Sequence, residues 1–238
     1  MLFRSNKFYN PISDVPFMLK FMKTNSSLLI AHEYGSTEYL MYDMFFASLP
    51  LLGSGDITRP FPLMFFPNGI LKDNVSYYKK NSFPVIQSSN IAPHATTVGV
   101  NQLIMNQGSG LMLVPGMDAL FGWQILAQTT DQLSWVDKKG PVEGDDLNPN
   151  GDGMFTSEHD NFDIPLIFKV ALEQQGIEFP DGIPMGGFSI PVAAYTELGS
   201  PNQSKVVCVG DASMFTNEMV ELTGYDNLQF GLNIIAYL

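Results

Sequence analysis

Six polar or small residues follow two apolar runs of the chain and could do acid–base chemistry or bind a polar ligand. Each group begins where a run predicted to be a strand ends, and ligands of open α/β sheets bind at the carboxyl ends of strands. A histidine beside a carboxylate at that edge can accept and return a proton. The alternative is that these residues only cap loops, with Asp211 accepting backbone N–H groups at the turn into Asn217. The candidate ligand-binding residues are His32, Glu33, Gly35, Asp211, Ser213 and Asn217.

Cys208 is the only cysteine and therefore the only candidate for a thiolate nucleophile. A catalytic cysteine needs a sharp strand-to-helix turn, with a histidine as base. Cys208 instead lies inside the apolar run Val-Val-Cys-Val-Gly, where burial disfavours the thiolate. No Gly-x-Ser-x-Gly motif is present, and Gly108-Ser109-Gly110 is typical of a turn. The sequence therefore predicts no catalytic residue.

An acidic segment resembles the first half of a calcium-binding EF-hand loop. Oxygen-bearing side chains alternate up to Gly151, the position at which such loops turn sharply. The match then fails, because Ser157 stands where the bidentate acid belongs and Glu158 follows one place later. A hard cation could still bind here, and a solvated loop is the alternative. The candidate metal ligands are Asp146, Asn148, Asn150, Asp152 and Glu158.

Three aromatic residues open a different possibility, a carbohydrate-binding surface. Tyr34, Trp123 and Trp135 could stack on the apolar faces of sugar rings. Such a site requires an exposed aromatic platform, whereas an assembly module requires an exposed apolar patch.

Charge and hydropathy exclude two classes of partner. The 238 residues carry 12 Lys and Arg against 24 Asp and Glu, a formal net charge of −12. The basic residues are scattered, so the clusters that displace counterions from nucleic acid are missing. No apolar stretch reaches the length of about 18 residues that a membrane-spanning helix needs.

The elements that would position these residues follow from short apolar runs. Residues 27–31, 190–196 and 205–209 are predicted strands of one mostly parallel or mixed sheet. Helices are expected at 13–25, at 39–49 and at the C-terminus, where Phe230 and Ile234 share one face. Asp226 and Asn227 are expected to cap that last helix.

Four pieces, in this order, resemble a known family. They are the helix leading into Ser-Ser-Leu-Leu-Ile-Ala, the element from Ala92 to Val100 with its His94-Ala95-Thr96, the acidic insert, and the stretch from Val206 to Asn217 with the terminal helix. Together they resemble the GIFT-type domain of GldG-like gliding-motility proteins and of an intraflagellar transport subunit.

The resemblance implies the fold of class I glutamine amidotransferases. The expected fold class is therefore α/β, with a mostly parallel, flavodoxin-like sheet flanked by helices and a long acidic surface loop. Residues 1–238 are expected to form a single domain that lacks a complete N-terminal βα unit. The resemblance also favours an extracytoplasmic location.

The functional expectation is a non-catalytic binding or interaction module of a cell-envelope or transport-associated assembly. Its partner would be a protein or a small polar ligand, with calcium as the one candidate cofactor. Two alternatives remain open: a hydrolase or amidotransferase-like enzyme using His32, Glu33 and Asp211, and a carbohydrate-binding domain.

Overall fold

The structure is a computed structural model, and it describes a little over half of the chain. The described residues are 2–3, 26–32, 64–65, 69–112, 122–130, 133–138, 155, 160–163, 182–197 and 204–238. The predicted helices at 13–25 and 39–49 lie outside these residues. Fourteen strands are described: β1 Leu2–Phe3, β2 Ser27–Ala31, β3 Met64–Phe65, β4 Gly69–Asp73, β5 Tyr77–Tyr78, β6 Lys80–Gln87, β7 Gln102–Ile104, β8 Leu111–Met112, β9 Trp123–Gln128, β10 Ser134–Lys138, β11 Asn161–Asp163, β12 Gly182–Pro184, β13 Pro191–Glu197 and β14 Lys205–Val209. Two α-helices are described, α1 Asn217–Val220 and α2 Asn227–Tyr237.

The largest sheet has five strands in the order β1-β2-β14-β13-β9. β1, β2 and β14 are parallel, whereas β13 runs antiparallel to both β14 and β9. β2 and β14 are buried on both faces, which explains why the sequence of each strand is a nearly continuous apolar run. Leu29 of β2 pairs with Val207 of β14, and both belong to one core. The prediction that residues 27–31, 190–196 and 205–209 share one mixed sheet is confirmed.

The middle of the chain forms smaller antiparallel sheets. β4 pairs with β10, β6 pairs with β5 and β7, β3 pairs with β8, and β11 pairs with β12. Leu71 of β4 and Val136 of β10 pack into the same core as the five-stranded sheet. Phe230 and Ile234 of α2 reach this core too, so the C-terminal helix is amphipathic as predicted.

The predicted fold class, a mostly parallel and helix-flanked flavodoxin-like sheet, is wrong. Among the described residues strands predominate, they form mixed sheets, and only two α-helices occur, so the fold is β-rich. Short apolar runs indicate that a segment is a buried strand, but they do not indicate its direction. β13 runs antiparallel to both of its neighbours, β14, the next strand along the chain, and β9.

The start of α2 corrects a second expectation. Asp226 does not cap the helix with its side chain; its Oδ2 instead accepts the backbone N–H groups of Asn101 and Gln102, at 2.7 and 3.1 Å. Asn227 is fully buried, accepts from Ile104 N at 3.0 Å, and donates to the carbonyls of Ile104 and Met214, each at 2.9 Å. The two side chains therefore fasten the helix to β7 and its flanks.

Candidate functional site

The carboxyl ends of β2 and β14 meet at one edge of the five-stranded sheet. His32 N donates to Val209 O at 2.8 Å, and Ala212 N donates to His32 O at 2.6 Å. The pairing of β2 with β14 thus continues one residue beyond each strand, and it places the His32 and Asp211 backbones side by side. The structure brings these two candidate residues together, as parallel neighbouring strands require.

Asp211 is fully buried, and its carboxylate holds two backbone segments. Oδ2 accepts from Asn106 N at 2.5 Å and Oδ1 accepts from Met214 N at 3.1 Å. A buried carboxylate needs such donors, because desolvation of an unpaired charge is costly. Asp211 therefore fixes the turn of residues 213–215 and joins it to the loop after β7.

The Gly108-Ser109-Gly110 turn packs directly on this edge. Ser109 N donates to Gly210 O at 2.7 Å, and Gly210 N donates to Val192 O at 2.9 Å. A Cβ at Gly210 would overlap the Ser109 carbonyl oxygen, and one at Gly108 would lie 2.6 Å from Asp211 Cβ. Both glycines are needed because the two backbones touch. We call His32, Ser109, Gly210 and Asp211 the strand-end junction.

Two groups that sequence alone could assign to chemistry are held in unreactive forms. His32 is buried, and burial lowers the pKa of its imidazole to about 3, so it is neutral near pH 7. Cys208 is fully buried, and burial raises the pKa of its thiol well above the usual range. The predicted burial of Cys208 is confirmed, and a neutral thiol is a poor nucleophile.

A groove of 810 Å³ opens beside the junction, between β2 and the two helices. Its floor includes Leu29 and Ala31, and Asn217 of α1 lies on its wall. Neither His32 nor Asp211 is among its lining residues. Among the candidates that the structure describes, Asn217 is therefore the one that borders the groove, whereas Ser213 is half-buried.

The outer face of α2 forms one side of this groove. Leu228, Leu232 and Ile235 follow one another at helical spacing and are 52%, 53% and 71% exposed. We call these three residues the outer stripe. Since Phe230 and Ile234 fill the opposite face, α2 is apolar on two sides, although one side suffices to pack it on the core. The helical spacing of the outer stripe is visible in the sequence. It was not recognised there, because Phe230 and Ile234 on the inner face already accounted for an amphipathic helix.

The remaining predicted residues are either buried or lie outside the described residues. Trp123 and Trp135 are 1% and 3% exposed, so neither can present a flat face to a sugar. Among the described residues, no three His, Cys, Asp or Glu side chains group closely enough to hold a metal ion. Outside the described residues lie Glu33, Tyr34, Gly35, Asp146, Asn148, Asn150, Asp152 and Glu158.

A cluster of aromatic residues was not predicted. The His94 ring lies 4.0 Å from the Tyr195 ring and 4.7 Å from the Tyr237 ring, centroid to centroid. Tyr237 Oη donates to Glu197 at 2.5 Å, and Lys205 Nζ lies 3.9 Å above the Tyr237 ring. Burial, followed by the hydrogen bond to Glu197, raises the pKa of Tyr237, whereas burial lowers the pKa of His94. The cluster joins the C-terminus of α2 to β13 and β14.

The His94 segment has a structural role on its other side. His94 Nδ1 accepts from Thr96 N at 3.2 Å, and Thr97 Oγ1 accepts from His94 N at 2.9 Å. These reciprocal bonds close a turn, and Asn233 of α2 donates to the carbonyls of Thr96 and Val98 at 3.1 and 2.8 Å. The element quoted for the family resemblance thus serves to seat α2 on the sheet.

The described part of the molecule is a β-rich fold on a mixed sheet, with buried polar groups at its strand ends and an open apolar surface beside them. No protein-family model matches this chain, and no curated protein matches it either. Among solved structures the chain is similar to the mmIFT52 N-terminal domain, with a TM-score of 0.52 and 9% sequence identity. The match covers 99% of this chain and 72% of that one. At this identity the likeness is one of fold, and it agrees with the intraflagellar-transport side of the resemblance drawn from the sequence.

No helix in the described part of the chain is both long enough and apolar enough to cross a lipid bilayer.

Proposed function

We propose that this chain is a non-catalytic interaction module that docks a protein segment in its apolar groove. The outer stripe of α2 is the observation that carries the proposal. Exposed leucine and isoleucine side chains that form one continuous ridge beside a groove are typical of a binding surface, because monomeric soluble proteins rarely expose contiguous apolar patches. The fold likeness to an intraflagellar-transport domain supports a place in a transport-associated assembly and a GIFT-type assignment.

The occupant that fits is an amphipathic helix with basic flanks. Its apolar face would lie against the outer stripe and the groove floor at Leu29. Glu218 lines the groove and Glu221 is exposed just beyond α1, while the whole chain carries a net charge of −12. Opposite charge on the partner would speed association and set its orientation.

A designed peptide of alternating leucine and lysine at helical spacing tests this docking. Its fluorescence anisotropy should saturate with wild-type protein, and Leu232→Asp with Ile235→Asp should weaken binding at least about tenfold. Val75→Asp is the matched control, since Val75 is an exposed apolar side chain in the bend between β4 and β5, away from α2. A scrambled peptide of equal charge that binds as well as the helical one would refute groove docking.

The other sequence predictions remain proposals. One of them is a ligand site formed by His32, Glu33, Gly35, Asp211, Ser213 and Asn217. In such a site the Asp211 oxygens already accept backbone hydrogen bonds, so the other residues would make the contacts with a ligand.

The acidic segment is proposed to bind calcium with a dissociation constant on the order of 10⁻⁴ to 10⁻³ M, because it has neutral ligands and no bidentate acid in register. Millimolar calcium should then raise the melting temperature, and Asp146→Ala with Asp152→Ala should abolish that rise. If calcium produces no thermal and no calorimetric response, the calcium proposal is wrong and the segment is a solvated loop.

A further inference from the structure

A second cavity, of 450 Å³, is formed by residues of β4, β5, β6 and the loop after β7, and it gathers positive charge. Lys72, Lys79 and Lys80 line it in a chain with only 12 basic residues. The rest of its lining consists of hydrogen-bonding side chains: Asn74, Tyr77, Asn81, Ser82 and Gln107. Its composition is thus the reverse of the apolar groove, and the acidic net charge of the chain does not predict it.

The walls of this cavity are cross-linked. Gln107 N donates to Ser82 O at 3.1 Å, and Asn81 Nδ2 donates to Asn74 Oδ1 at 3.0 Å. Asn74 N in turn donates to Leu133 O at 3.1 Å. The Gln107 bond joins the loop after β7 to β6, and the bond between Asn81 and Asn74 orients two lining side chains before any ligand arrives.

Two lining residues have unusual backbone conformations. Lys79 and Gln107, with φ of 59° and 56°, are the non-glycine residues of the described chain that have positive φ. This region costs a side-chain-bearing residue free energy, and such residues concentrate at binding sites. In this conformation Lys79 Nζ lies 4.8 Å from the ring centroid of the neighbouring Tyr78, while Lys79 itself is one of the residues that line the cavity.

The charge within the cavity sets the class of ligand. Lys72 is buried and forms an ion pair with Asp137, so its charge is already matched. Lys79 and Lys80 are exposed, and together they supply about two positive charges. A phosphate monoester carries nearly two negative charges near pH 7 and offers three acceptor oxygens. A long polyanion such as nucleic acid is disfavoured by the net charge of −12.

We propose that this cavity binds a phosphate monoester. Lys79 and Lys80 pair with the phosphate oxygens, and the side-chain amides of Asn74 and Gln107 lie within the same cavity to donate hydrogen bonds. The volume exceeds that of a phosphate group alone, so part of the esterified alcohol also fits. This site does not depend on the groove beside α2, and either can exist without the other.

Calorimetric titration with O-phospho-L-serine near pH 7.5 tests the assignment, with sodium chloride holding the ionic strength constant. Wild-type protein should show saturable binding, and inorganic phosphate should bind more weakly because it lacks the alcohol. Lys79→Asn with Lys80→Gln should weaken binding at least about tenfold, since both charge-assisted contacts are lost. Asparagine is chosen because it tolerates positive φ.

Two controls separate the site from general charge effects and from misfolding. Lys80→Arg keeps the charge and should retain binding, and Lys205→Gln removes a positive charge away from the cavity and should also retain it. Unchanged thermal unfolding of the double variant shows that the fold is intact. No saturation by phosphoserine up to about 20 mM, binding of inorganic phosphate alone, or equal binding by the double variant would each overturn the proposal.

Discussion

The strand-end junction and the outer stripe each have the opposite accessibility to the one that their residue types indicate. The junction is polar, yet His32, Ser109 and Asp211 are buried, and the Asp211 carboxylate accepts backbone N–H groups. The outer stripe is apolar, yet it is the part that faces solvent. Whether a side chain can bind a partner therefore depends on whether the fold has already buried it or given it hydrogen-bond partners, and residue type alone does not reveal this.

The largest expected contrast is between the two faces of α2. Phe230→Ala should lower the free energy of unfolding by about 4 kcal/mol, because the ring is fully buried and leaves a cavity. Leu232→Ser should lower it by no more than about 1 kcal/mol, because the side chain is already exposed. Urea denaturation of both variants measures the difference, and equal losses would mean that the outer stripe is packed in solution.

Close backbone contact makes Gly210 the most sensitive position of the junction. Gly210→Ala should cost about 3 kcal/mol, since the added methyl forces the Ser109 segment away and strains two backbone hydrogen bonds. Gly231→Ala in α2 is the control: its Cβ would lie 3.2 Å from Phe215 Cδ1, and alanine favours the helix. The control should change stability by less than about 1 kcal/mol in either direction.

The buried imidazole of His32 predicts acid sensitivity. Its pKa in the folded state, about 3, lies below the ordinary 6.5, so the folded protein binds a proton less readily than the unfolded chain. The contribution to stability is therefore complete above pH 6.5 and is lost as the pH falls towards 3. Between pH 6.5 and about 4 the wild type should lose about 3 kcal/mol more than His32→Gln. Parallel pH profiles of the two proteins would mean that His32 is accessible to water.

The smallest effect concerns Cys208, for which we expect no reaction at all. A fully buried thiol with a raised pKa should stay unmodified when native protein is treated with iodoacetamide near neutral pH. Mass spectrometry measures the modification, with urea-unfolded protein as the positive control. Rapid labelling of the native protein would reopen the cysteine-enzyme alternative.

Local patterns in the sequence predicted the parts of the fold that depend on local burial. The runs at 27–31 and 205–209 are strands with those bounds, and Phe230 and Ile234 do face the core. Strand direction was missed, because the apolar runs do not indicate it: β13 is antiparallel both to β14, the next strand along the chain, and to β9.

The same limit applies to the candidate sites. The proximity of His32 and Asp211 followed from parallel strands, but their burial did not, and neither did the hydrogen bond from Ser109 of a distant loop to the neighbouring Gly210. The lysine cavity was missed because Lys72 and Gln107 reach it from separate elements. The outer stripe could have been found by testing α2 for a second apolar face.

The pairing of β2 with β14 has a consequence for how the chain folds. Ser26 N donates to Ser204 Oγ across 178 residues of sequence, so this part of the sheet closes one of the longest loops that the chain can form. Contacts of such separation form late and slow the folding of a domain. Until residues 205–209 have been synthesised, the Ser-Leu-Leu-Ile-Ala strand has an open hydrogen-bonding edge of high β-propensity. During biosynthesis this strand therefore has an unpaired edge that other chains can pair with until β14 takes its place.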